Sequence, residues 1–136
     1  MIALFGLIAA CADSPEARYQ GALDAGKVAK KAKKSEKDER LEDYLLFFTR
    51  ASAELLRSAD RVAQRVSALS YVNDIRTILP KAKFKKVDIR GNLAILTMDG
   101  PKGDFDVFML QEKGQWVIDL FSMQLFWKPI ASLEGS

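Results

Sequence analysis

The chain has 136 residues, 49% of them hydrophobic and 29% charged, a globular balance that excludes wholesale disorder. Net charge is +3, too small for a dedicated nucleic-acid binder, so no nucleic acid is expected as a partner. With no histidine and one cysteine, the chain lacks the commonest general base and metal ligand, an internal disulfide and any Cys/His zinc site; neither a metal nor a cofactor is expected.

Residues Met1 to Ala10 read M-I-A-L-F-G-L-I-A-A, an uncharged run ending in small residues. A membrane-spanning helix needs about 20 apolar residues, and this run is too short. Its length suits the apolar core of a signal peptide. The run closes on Ile8-Ala9-Ala10-Cys11, which resembles the lipobox of bacterial lipoproteins. The resemblance implies cleavage before Cys11 and acylation of its thiol and new amine. The mature protein would then be held in the membrane by acyl chains, each buried methylene contributing about 0.8 kcal/mol. Ala12, where some lipoproteins carry aspartate, implies delivery to the outer membrane, facing the periplasm of the bacterial cell envelope. The expected organisation is a signal peptide over 1–10, a lipidated N-terminus with a short helix and Lys-rich connector over 11–40, and a small domain over 41–136.

Ser14-Pro15-Glu16 is a helix start: a capping hydroxyl, a proline suited to the first helical position and an acid at the positive end of the dipole. The helix is expected from Pro15 to about Asp24, weakened by Gly21 and Gly26. The stretch Lys27 to Arg40 reads K-V-A-K-K-A-K-K-S-E-K-D-E-R and predicts a solvated helix or connector outside the core. Lys27, Lys30, Lys31, Lys33, Lys34 and Lys37 read either as a basic collar touching anionic lipid or cell-wall polymer, or as an exposed face kept soluble by charge.

From Leu41 the pattern turns amphipathic. Leu41, Leu45, Phe48, Ser52, Leu55, Ala59, Val62, Val66 and Leu69 alternate by four and three residues, one face of a helix. A straight helix over that stretch would run about 43 Å, against about 35 Å for a compact domain of this size. It must bend, break near Ser58 to Asp60, or overhang; overhang would favour self-association. Ser70 is expected to cap a second segment, with Val72, Ile75 and Leu79 inward and Pro80 closing it.

Beyond Pro80 the period becomes two. Strands are predicted over Phe84 to Arg90, Leu93 to Asp99, Phe105 to Lys113 and Gln115 to Phe121. Gly91-Asn92 and Lys113-Gly114 suit tight hairpin turns, and Gly100-Pro101-Lys102-Gly103 a longer one. A two-residue turn at Lys113-Gly114 pairs Glu112 with Gln115, Leu110 with Val117, Phe108 with Asp119 and Asp106 with Phe121. On the other face it pairs Met109 with Ile118 and Val107 with Leu120. That second face, with Phe105 and Trp116, is apolar and should lie on the helices. The tail from Ser122 to Ile130 carries Met123, Leu125, Phe126, Trp127 and Ile130, and would form a partner patch if exposed.

Helices followed by a four-stranded antiparallel meander define an α+β fold, N-terminal helices packed on a curved sheet. Val87-Asp88-Ile89-Arg90-Gly91-Asn92-Leu93-Ala94-Ile95-Leu96 and Gly114-Gln115-Trp116-Val117-Ile118-Asp119 resemble segments of the nuclear-transport-factor-2-like superfamily, in which a cone of sheet wraps around helices. The resemblance runs from Tyr71 to Phe121. It implies an interior able to take a small apolar ligand, or a carboxylate acting as a base there, although this superfamily hosts enzymes, binders and scaffolds alike.

Asp106 and Asp119 are the acids to weigh for proton transfer, with pairing to Lys85 or Lys86 the plainer role. Ser52, Ser58 and Ser67 have no histidine to activate them. Glu36, Asp38, Glu39, Glu42 and Asp43 fit no calcium-loop spacing and should pair with neighbouring lysines along a helix. The leading expectation is a non-enzymatic, membrane-anchored envelope lipoprotein that binds or scaffolds another envelope protein. Its contacts would come from Asp106, Phe108, Asp119, Phe121, Phe126 and Trp127. The alternative is a binder of a small apolar ligand, or a weak enzyme, using the interior of the sheet.

Overall fold

A computed structural model describes residues 13–65 and 74–123. Among the described residues three helices precede the sheet: α1 (Pro15–Lys31), α2 (Lys37–Leu45) and α3 (Arg50–Arg65). A 3₁₀ turn at Ile75–Thr77 leads into β1 (Lys83–Arg90), β2 (Leu93–Gly100), β3 (Gly103–Glu112) and β4 (Gln115–Ile118), and a second 3₁₀ turn follows at Leu120–Ser122. The strands form one antiparallel sheet in the order β1-β2-β3-β4, so the fold is α+β as the sequence predicts.

The start of α1 follows the sequence signals. Ser14 Oγ accepts from the Ala17 N–H at 3.2 Å, and Pro15 occupies the first turn. Its end does not. The helix runs past Asp24 to Lys31, with Gly26 and Ala29 buried inside it. At Gly26 the helix meets another backbone: a Cβ there would lie inside contact distance of the Arg76 carbonyl oxygen. The glycine costs roughly 1 kcal/mol in helix propensity, and tertiary packing overrides that cost. Tyr19, Ala22 and Ala29 join the same core as the sheet, so the packed unit begins with α1 rather than at Leu41.

The amphipathic stripe from Leu41 is two helices, interrupted at Leu46 to Thr49 rather than near Ser58. There the chain lies along the outer edge of β4: Ile118 N–H donates to Phe47 O at 2.8 Å, and Thr49 N–H donates to Ile118 O at 2.9 Å. Thr49 then caps α3, its Oγ1 accepting from Ser52 N–H at 3.2 Å. The interruption resets the helical phase. In α3 the buried positions are Ser52, Ala53, Leu56 and Asp60, whereas Val62 of the predicted stripe is 54% exposed. Val66, Leu69, Ser70 and Val72 lie outside the described residues; Ile75 and Leu79 are buried as expected.

The sheet follows its predicted register closely. Glu112 pairs with Gln115, Leu110 with Val117 and Met109 with Ile118. Lys113 and Gly114 both have positive φ, at 54° and 78°, the requirement of a type I′ hairpin. Pro101-Lys102 is a two-residue loop, tighter than expected, because Gly100 and Gly103 still pair. Ala94, Leu96, Met98, Val107, Met109 and Ile118 line the inner face and are fully buried against the helices. Tyr19 of α1 meets Phe84 of β1 edge-on at 6.1 Å. The outer edge of β1 carries exposed Lys83, Lys85 and Lys86 and a bulge between Phe84 and Lys86, features that discourage another strand from adding.

Candidate functional site

Side chains on β2, β3 and β4 alternate between the two faces. Leu93, Ile95, Phe108, Leu110 and Val117 therefore share the outer face, opposite the helices. Leu93–Leu110–Val117 and Ile95–Phe108 are cross-strand partners there. Val117 is buried and the others are half-buried. Asp106 stands exposed beside this band and accepts a hydrogen bond from Thr97 Oγ1 at 2.9 Å.

The predicted pairings of Asp106 with Phe121 and of Val107 with Leu120 do not form, because β4 stops at Ile118. Asp119 N–H still donates to Phe108 O at 2.9 Å. The Asp119 carboxylate then accepts from Phe121 N–H at 3.3 Å and from the Ser122 hydroxyl at 2.6 Å, capping the 3₁₀ turn that ends the strand. Leu120 turns into the core, where its N–H donates to Ser52 Oγ at 2.9 Å. Each aspartate is thus engaged with a nearby hydroxyl. Neither takes the lysine expected of it: Lys85 Nζ pairs with Asp104 at 2.8 Å instead, and that bond and charge raise the lysine's pKa. Phe121 is 47% exposed, while Cys11, Phe126 and Trp127 lie outside the described residues.

The interior of the sheet is filled by protein. Its lining residues Leu96, Met98, Val107, Met109 and Ile118 are all at 0% exposure. Trp116 is buried at 7% exposure, in keeping with a core rather than a platform role.

Lys27, Lys30, Lys31, Lys33 and Lys34 are all exposed. Lys30 and Lys31 occupy the last turn of α1, where the helix dipole favours cations. A helix of this length places them about 25 Å along the axis from its start, so the cluster sits at the far end of α1 from Ser14. Glu39, Glu42 and Asp43 of the acidic run pair with arginines rather than the expected lysines: Arg40 with Glu39 and Asp43, and Arg57 with Glu42 at 2.6 Å, Arg57 also reaching Glu54. The bond from Arg57 holds the Glu42 carboxyl below its ordinary range.

Two buried arginines were not singled out in the sequence. Arg18 joins α1 to the sheet, donating from Nε to Trp116 O at 2.9 Å and from Nη2 to Leu46 O at 3.2 Å, with its guanidinium over the Phe47 ring. Burial pulls its pKa down. Arg76 donates from Nη1 to Asp60 Oδ1 at 3.0 Å and to Asp74 Oδ1 at 3.1 Å. Burial opposes its charge, but the bonds and charges of the two acids outweigh that and raise the pKa. An off-phase acid in α3, Asp60, was the available signal for this pair.

Arg76 also borders a cleft of about 280 Å³ lined by Ala22, Leu23, Lys27, Tyr44, Thr77, Leu79, Pro80 and Lys81. Among the described residues no helix is long and apolar enough to cross a membrane, and no three acidic or cysteine side chains gather as a metal site. No protein-family model, no curated protein and no solved structure matches this chain.

Proposed function

We propose that the chain is a non-enzymatic envelope lipoprotein, anchored in the membrane through acylated Cys11, whose small domain binds or scaffolds another envelope protein. The reading of the anchor rests on Ile8-Ala9-Ala10-Cys11 at the end of an apolar run. The observation that carries the binding role is the apolar band Leu93, Ile95, Phe108, Leu110 and Val117 on the face opposite the helices. A sheet that packs helices on one face ordinarily presents alternating polar residues on the other. Here that face is apolar at its centre with Asp106 and Thr97 beside it, the composition of an interface core with a polar rim.

Phe108→Asp tests the band. The substitution is expected to abolish co-purification of a defined complex from detergent-solubilised envelopes. The melting temperature should stay within roughly 4 °C of the parent, since Phe108 lies outside the helix-packed core. An undiminished complex would remove the outer face from the proposal.

A further inference from the structure

The cleft bordered by α1 and the segment from Arg76 to Lys81 is separate from the outer face and from the interior of the sheet. Its walls are preformed. Tyr19 Oη donates to Pro80 O at 2.5 Å and Tyr44 Oη donates to Ile75 O at 2.7 Å, tying α1 and α2 to the segment that closes the cleft. Gly26 lets the Arg76 backbone approach α1 at the same place.

The chemistry of the lining is two-part. Ala22, Leu23, Leu79 and Pro80 give an apolar wall. The polar groups are nearly all committed. The Tyr44 hydroxyl is donated, Thr77 Oγ1 donates to Asp74 O at 3.2 Å, and Arg76 Nη1 is shared by Asp60 and Asp74. Two carboxylates around one guanidinium leave a local charge of about −1 before the lysines are counted. Lys27 and Lys81 line the cleft, are exposed, and have no ion pair among the described residues. With them the balance at the cleft turns positive. Arg76 Nε and Nη2 are buried and carry N–H groups without hydrogen-bond partners among the described residues.

We infer that this cleft binds a small amphipathic anion, a single alkyl chain ending in a carboxylate. The chain lies against Leu23, Leu79 and Pro80, and the carboxylate pairs with Lys27 and Lys81. A volume of about 280 Å³ equals roughly nine water volumes, which suits a chain of about eight carbons. Apolar pockets with few, converging polar groups bind in this manner.

Octanoate, 1-octanol and octylammonium, titrated separately into the purified full-length chain and followed by amide NMR, test the inference. Octanoate should give saturable shifts at Leu23, Lys27, Thr77 and Lys81 with a Kd in roughly the millimolar range or below, as a ligand of that size allows. Octanol should bind at least about fivefold more weakly. The double variant Lys27→Glu, Lys81→Glu alters only exposed side chains and should reverse the order, favouring octylammonium over octanoate. Shifts scattered over the surface, or an octanoate affinity unchanged within about twofold in the double variant, would overturn it.

Discussion

Ser52 joins two distant parts of the molecule through one buried oxygen. Its Oγ accepts from Thr49 Oγ1 at 2.8 Å and from the Leu120 N–H at 2.9 Å, which links the α3 cap to the turn after β4. Removing an acceptor at a site with 0% exposure leaves a donor unsatisfied away from water. Ser52→Ala should therefore destabilise by about 1–3 kcal/mol in urea unfolding. Ser58→Ala, on the exposed side of α3, should stay within about 0.5 kcal/mol. A Ser52→Ala variant as stable as its parent would mean the hydroxyl network contributes nothing net. Periodicity could place Ser52 on a buried face but could not assign its partners, because both depend on where α2 and α3 separate. Arg18 was illegible for a related reason. Its acceptors are the carbonyls of Trp116 and Leu46, and a backbone acceptor leaves no mark in the sequence.

At the scale of elements, the sheet was legible and the helices less so. Period-two alternation and the turn residues fix strand register locally, so the pairing around Lys113-Gly114 follows from residue types alone. Helix ends are settled by distant contacts. The boundary at Leu46 to Thr49 exists because Phe47 and Thr49 bond to Ile118, far away in sequence. Likewise β4 ends early because Asp119 caps the turn that sends Leu120 inward. The hairpin also carries a correctable strain: Lys113 has φ of 54°, a conformation that asparagine adopts more readily than lysine. Lys113→Asn should stabilise the chain by about 0.5–1 kcal/mol, seen as a melting temperature raised by roughly 2–6 °C. A lower melting temperature would contradict the type I′ assignment.

For the whole molecule, the α1–sheet core and the outer apolar band point in opposite directions. One face packs against the helices, and the other carries the half-buried band on which the proposed binding role rests. The sequence yields the split, because Val107, Met109 and Ile118 alternate with Phe108, Leu110 and Val117. It does not yield the cleft, which arises because α1 runs past Asp24 and brings Lys27 to the same cleft as Lys81. The proposed anchor belongs to a different level again: it rests on the residues around Cys11 and on the chemistry of acylation. Radiolabelled palmitate incorporation in a bacterial host, compared between the parent chain and Cys11→Ser, tests it most directly. Label is expected on the parent, retained in the membrane fraction, and none on Cys11→Ser. A parent chain that carries no label, or a Cys11→Ser variant labelled equally, would contradict it.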